Sequence, residues 1–385
     1  MEQEWSEFWW ENITGANMAV NAVVNSLTGN ITTLIDLPVN LPWRKEMRNV
    51  IQKRLDAQAL GKIIDMIDDA EECHEDPGKY LLREYAQDDE IRNGYRSFPG
   101  RTIQDYLIKK SVLNGTIIWV KGLSPIRAQK WIQFCEKFNP NITDKAMFIL
   151  EVHAPPKLDP ALMHVVPLMH YLTNYDVQVF SSFILYNKKN LSIEWKRYIS
   201  SVIASLCHTD AEIAEQLLQA DNLKDVSFLD KVRKLADDAQ YSKRGRDENS
   251  SHIFSSCRNE NSDELEHRLW TAQIQVLFPV IELERMHFVQ EFDKQLKHAL
   301  RTHRLEQYNK PVTEPATVEL GAFCYMMNSG WITLENRIAA RIEFLHACRN
   351  QLAHAHCCDV AHVKKLLDNH EEYLNYFCTD YDYHY

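Results

Sequence analysis

Hydrophobic and polar positions follow two different periods in the first half of the chain. Short apolar runs lie at 31–37, 116–120, 146–152 and 177–185 and indicate strands, and the run at 116–120 is β-branched as in a buried strand. Stretches with apolar residues every three or four positions separate these runs and predict helices. Because strands that alternate with helices favour a parallel sheet, we predict an α/β domain over residues 1–190.

The second half of the chain shows the helical period almost throughout. Residues 191–240 predict a helical lid, and the polar run at 241–263 predicts a linker. The helical pattern then resumes, with Pro279 expected to kink one long helix. We therefore predict an all-α C-terminal domain at 264–385.

Composition and charge exclude several classes of protein. No stretch approaches the roughly 18 apolar residues of a membrane span, and the acidic start lacks the basic region of a signal peptide. We therefore expect a cytoplasmic protein without membrane contact. Nine scattered cysteines, an odd number, indicate reduced thiols. A net charge of −11 restricts any RNA contact to a local basic groove.

The predicted order of elements in the first half resembles the core of AAA and STAND P-loop ATPases. A working phosphate loop needs glycines, but residues 36–45 contain none and include two prolines. The strand at 116–120 leads into Lys121, where a magnesium-binding acid is expected. We therefore predict a degenerate P-loop-like domain that neither hydrolyses ATP nor carries a cofactor. Arg44 and Lys45 either bind an anion at the helix N-terminus or form a solvated first turn.

One helix in the last domain carries a candidate site. Its apolar stripe consists of Ile338, Ile342, Leu345 and Leu352. At about 100° per residue, Arg349 falls within this stripe. A buried guanidinium must be paired, bound to carbonyls or placed in a polar cleft. Glu282 and Glu284 are candidate partners for Arg349, and a plain structural role for this arginine remains an alternative.

The string from Arg349 to His354, Arg-Asn-Gln-Leu-Ala-His, resembles the motif of HEPN domains, in which His follows Arg after four to six residues. The resemblance implies that Arg349 stabilises a scissile phosphate and that His354 is a general acid or base. Asn350 would orient His354. His356 is the alternative histidine, about 20° from Arg349 on the helical wheel, whereas His354 is about 140° away.

The HEPN resemblance implies a metal-independent endoribonuclease or RNA-binding effector, fused to the ATPase-like domain, in a prokaryotic toxin or antiviral defence system. RNA and a second copy of the chain, or a larger complex, are the expected partners. The alternative is a non-catalytic scaffold or adaptor in a defence complex. Cysteines and histidines cluster near the motif, but their spacing matches no familiar zinc finger, so we predict no metal site.

Overall fold

The chain forms two compact units. The first comprises residues 1–176 and 209–212, and the second comprises residues 177–208 and 213–385. The computed structural model describes residues 5–58, 60–97, 99–138, 145–156, 163–246, 252–307 and 310–375.

A five-stranded parallel sheet is the centre of the first unit. Its strands are β1 (Thr33–Asp36), β2 (Ile63–Asp68), β3 (Thr116–Lys121), β4 (Met147–Val152) and β5 (His164–Pro167). They lie in the order β2-β3-β4-β1-β5, with Thr33 between Ile149 and His164. The predicted parallel α/β sheet is thereby confirmed. Every residue of β4 is buried, as expected for a central strand with both faces covered.

Eight helices accompany this sheet in the described part of the first unit. They are α1 (Trp5–Asn12), α2 (Thr14–Thr28), α3 (Arg44–Ala57), α4 (Asp69–Glu72), α5 (Pro77–Tyr85), α6 (Asp89–Asn93), α7 (Ile103–Lys109) and α8 (Pro125–Lys137). Helix α3 follows β1 directly and buries Met47, Val50, Ile51 and Leu55. These residues recur at helical spacing, so their burial fixes which side of α3 faces the core.

The predicted strand at 177–185 is wrong, because these residues form helix α9 (Asn174–Tyr186). Its start is fixed by a reciprocal cap. The hydroxyl of Thr173 donates to Asp176 Oδ2 at 2.6 Å, and the backbone N–H of Asp176 donates to Thr173 Oγ1 at 3.3 Å. Asp176 also accepts the backbone N–H of Gly15 at 2.9 Å. Capping and tertiary contacts outweigh the β propensity of the segment.

In its described residues, the regular structure of the second unit is helical apart from one short hairpin. Its further helices are α10 (Ile193–Cys207), α11 (Ala211–Leu218), α12 (Phe228–Ala236), α13 (Ile253–Arg258), α14 (Ser262–Glu291), α15 (Asp293–Thr302), α16 (Leu320–Asn328), α17 (Asn336–Ala353), α18 (Val360–Asp368) and α19 (His370–Asn375). The hairpin pairs β6 (Glu306–Gln307) with β7 (Lys310–Pro311). Within the described ranges, no helix combines the length and apolar character needed to cross a bilayer.

A buried ionic cluster ties together helices of the second unit. Arg341 on α17 donates to both carboxylate oxygens of Glu284 on α14, at 2.7 and 2.8 Å. His370 Nδ1 lies 2.8 Å from the same carboxylate. The side chains of Glu284, Arg341 and His370 are 0%, 1% and 5% exposed. Charges this deeply buried stabilise a fold only while every partner is present.

Candidate functional site

Hydrogen bonds from other parts of the first unit hold the loop between β1 and α3 in place. Trp43, at the N-cap of α3, has a left-handed backbone with φ of 41°. Its N–H donates to the Glu212 carboxylate at 3.1 Å, and its carbonyl accepts the indole N–H of Trp10 at 3.1 Å. A carboxylate of the first unit thus lies at the helix N-terminus, the kind of position where P-loop proteins bind phosphate. The absence of nucleotide binding at this position stays a prediction.

The same loop is also tied to the end of β4. The N–H of Leu37 donates to the carbonyl of Val152 at 2.9 Å, and a ring nitrogen of His153 lies 2.6 Å from the Leu37 carbonyl. The N–H of Ala154 donates to Asp36 at 3.2 Å. Two backbone donors of the loop, the N–H groups of Leu37 and Trp43, are therefore already engaged by protein acceptors.

Acidic side chains near the strand ends are neutralised by neighbouring cations. Lys121, at the end of β3, pairs with Asp68 at 2.6 Å. Arg48 on α3 donates to both oxygens of Glu151 at 2.6 and 2.7 Å, and the Trp119 indole donates to Glu151 at 2.9 Å. Burial lowers the pKa of Arg48, but the hydrogen bonds and charge of Glu151 outweigh it, so its pKa is raised. These contacts build a structural ion pair.

The predicted HEPN residues lie at the C-terminal end of α17. Asn350 pairs with His346, with 3.0 Å between the amide nitrogen and Nε2, and does not use its side chain to orient His354. His354 is the C-cap residue, and both His354 and His356 are exposed beyond the last turn. The side chain of Arg349 donates to Glu319 at 3.4 Å, a long contact.

The apolar stripe of α17 is buried as predicted, but Arg349 is not. The side chain of Arg349 is 31% exposed, so the expectation that it is the buried arginine was wrong. Arg341 and Cys348 join the buried face and move its centre away from Arg349. The aliphatic part of a long arginine side chain can then pack on apolar surface while its guanidinium stays in water. Glu284, proposed above as a partner of Arg349, pairs with Arg341.

A basic surface on α15 was not predicted from the sequence. Leu296 and Ala299 are buried on one side of this helix. Four exposed residues occupy an arc of about 100° on the opposite side, and we call them the α15 basic face: Lys294, Lys297, His298 and Arg301. Arg304 follows just beyond the helix and is 80% exposed. This arrangement concentrates positive charge on one side of a short helix.

Aromatic rings lie beside the end of α15. The ring of His303, the C-cap residue of α15, stacks on Trp331 with 4.4 Å between centroids and 10° between planes. Tyr325 on α16 meets Trp331 edge to face, at 5.2 Å and 83°. We call these three residues the aromatic cluster. Tyr325 is 53% exposed.

Comparison with known proteins finds solved structures of low similarity. No protein-family model matches the sequence, and no curated protein does. The Aeropyrum pernix ORC1 protein in complex with DNA is similar over 91% of this chain and 88% of its own, with 15% identity and a TM-score of 0.33. The A. pernix ORC2 protein (ADPNP-ADP complexes) covers 88% of this chain and 92% of its own, with 10% identity and a TM-score of 0.27.

A third similar structure is the Drosophila ORC bound to poly(dA/dT) DNA and Cdc6, which matches 97% of this chain and 73% of its own, at 10% identity and a TM-score of 0.28. These likenesses are to origin-recognition proteins and not to HEPN ribonucleases. The predicted function, an RNA-cleaving or RNA-binding HEPN effector with a defence scaffold as its alternative, is therefore wrong. The ribonuclease, toxin and antiviral assignments are wrong for the same reason.

Proposed function

We propose that this protein binds double-stranded DNA through the α15 basic face. The observation that carries the proposal is the charge pattern of that helix: exposed cations stand opposite the buried pair Leu296 and Ala299. Packing of the apolar side fixes the rotation of the helix, so its cations point together into solvent. Lysine and arginine are the side chains that neutralise DNA phosphates.

The shape of the surface favours duplex DNA over duplex RNA. A helix of 10 residues is about 15 Å long, and the major groove of B-form DNA is wide enough to admit an α-helix. The major groove of A-form RNA is deep and narrow, so side chains cannot read it. An exposed basic helix therefore fits DNA better.

Two acids near the basic face do not cancel it. Asp293 pairs with Lys297 at 2.9 Å, and Glu306 pairs with Arg304 at 2.6 Å. Both are surface pairs, which contribute little free energy, so a DNA phosphate can replace either acid. The net charge of −11 disfavours contact of DNA with the protein surface as a whole, so binding requires a local basic surface such as this one.

Binding is expected to weaken steeply with salt, because each neutralised phosphate releases counterions. Lys294, Lys297, Arg301 and Arg304 together predict a slope of log affinity against log salt between about −3 and −4. Fluorescence anisotropy with a labelled duplex of mixed sequence, measured between about 50 and 200 mM salt, gives this slope.

The variant Lys294→Ala, Arg301→Ala should reduce the slope by about 2, because two phosphate contacts are lost. Lys130→Ala, Lys189→Ala removes two exposed lysines elsewhere and should leave the slope unchanged. A duplex that does not bind at low salt, or equal slopes for the two variants, would show that the face is only a solvated helix surface.

The first unit is expected not to bind Mg-ATP, because Glu212 occupies the N-terminus of α3 and the loop lacks glycine. Isothermal calorimetry with up to about 1 mM Mg-ATP should give no binding heat, and the melting temperature should not rise. Micromolar affinity would contradict this prediction without touching the DNA proposal, since the two sites use different residues.

A further inference from the structure

We propose that the aromatic cluster binds an unpaired nucleobase, so that the protein prefers DNA in which a duplex ends in a single strand. This inference rests on the proposed DNA binding and adds an unpaired base, next to the duplex, to the DNA that the protein recognises. Three observations support it: the exposure of Tyr325, the stacking order of the rings, and the cations beside them.

The first observation is the exposure of Tyr325. More than half of its surface faces water, at 53%, although it lies on α16 among buried neighbours such as Phe323 and Met326. A large ring with an open face is a stacking surface for any base, because every base has a π-face.

The second observation is that the ring beneath Tyr325 is held in place. Trp331 is fixed on one side by the parallel His303 ring at 4.4 Å and meets Tyr325 edge to face at 5.2 Å. Aromatic pairs in these geometries stabilise each other beyond the area they bury. Because its neighbour is fixed, Tyr325 loses little freedom when a base stacks on it.

The third observation is the charge next to the rings. His303 is the C-cap residue of α15, so Arg301 precedes it by two positions and Arg304 follows it directly. Single-stranded nucleic acid binds where stacking rings lie beside cations that follow the backbone. The α15 basic face ends at the aromatic cluster, so a duplex on the face brings its terminal or unpaired nucleotides near the rings.

The experiment compares two labelled DNAs by fluorescence anisotropy: a blunt duplex, and the same duplex with a short thymine overhang. We expect the overhang to increase affinity about tenfold, near the lower end of what one stacked base contributes. Tyr325→Ala should remove this gain and leave the blunt-duplex affinity unchanged. Tyr325→Phe keeps the ring and should retain the gain.

Tyr186→Ala is the matched control, since Tyr186 is 77% exposed but lies on α9, outside the cluster. It should retain the full overhang preference. A wild-type protein that binds both DNAs equally, or a Tyr325→Ala variant that keeps the preference, would overturn the inference alone. A wild-type protein that binds neither DNA would overturn the proposed function as well, so the two failures are distinguishable.

Discussion

Replacing Lys294 and Arg301 together by glutamate is expected to reduce affinity for duplex DNA by at least about 100-fold near 100 mM salt, because two attractive contacts with phosphate become two repulsive ones. Both residues are exposed on α15, so the change alters no buried contact. Fluorescence anisotropy with the labelled duplex measures the loss.

The folded state should tolerate this charge reversal. A glutamate at position 294 lies in the first turn of α15, where negative charge is favourable, and one at position 301 lies in the last turn, where it is unfavourable. These two effects oppose each other, so the melting temperature should change little. Lys130→Glu, Lys189→Glu makes the same change in net charge on exposed lysines elsewhere. If this control loses as much affinity, binding depends on total charge and not on α15.

The second large effect concerns stability. Arg341→Met is expected to lower the free energy of unfolding by about 3–5 kcal/mol, because it leaves the buried carboxylate of Glu284 without its guanidinium partner. His370 remains as a single contact to that carboxylate. Urea denaturation followed by circular dichroism measures the change, and the transition of the second unit should show it.

Arg349→Met is a matched control on the same helix. The side chain of Arg349 is 31% exposed and donates to Glu319 at 3.4 Å, so its loss should cost less than about 1 kcal/mol. The double variant Glu284→Leu, Arg341→Met should regain much of the lost stability, since removing both charges avoids an unpaired one. Equal losses for Arg341→Met and Arg349→Met would refute the assignment of Arg341 as the buried arginine.

The sequence predicted the inner part of the sheet well and its edges poorly. Strands β1, β3 and β4 are buried and β-branched, so their pattern is clear. The two strands that were not predicted, β2 and β5, lie at the edges of the sheet. β2 mixes exposed and half-buried positions with acids, and Ile63 is 72% exposed. Edge strands bury little, so their hydrophobic pattern is weak.

The candidate sites depend on contacts between residues far apart in the chain, which the sequence pattern does not show. The identity of the buried arginine on α17 depends on Glu284, 57 residues earlier in the chain. The helical wheel alone could not choose between Arg341 and Arg349. The long helix expected to contain Pro279 ends at Glu291, and α15 begins at Asp293, with no glycine or proline at the break. Because the sequence does not mark this break, it does not show that α15 is a separate helix with its own exposed basic side.

The contact between Trp43 and Glu212 has a consequence for regulation. An anion that belongs to the chain cannot diffuse away, so its effective concentration at the end of α3 is in the range of about millimolar or more. A free phosphate compound would have to compete with it at comparable concentration. We therefore expect the occupancy of this position to be insensitive to the ratio of nucleoside triphosphate to diphosphate in the surroundings.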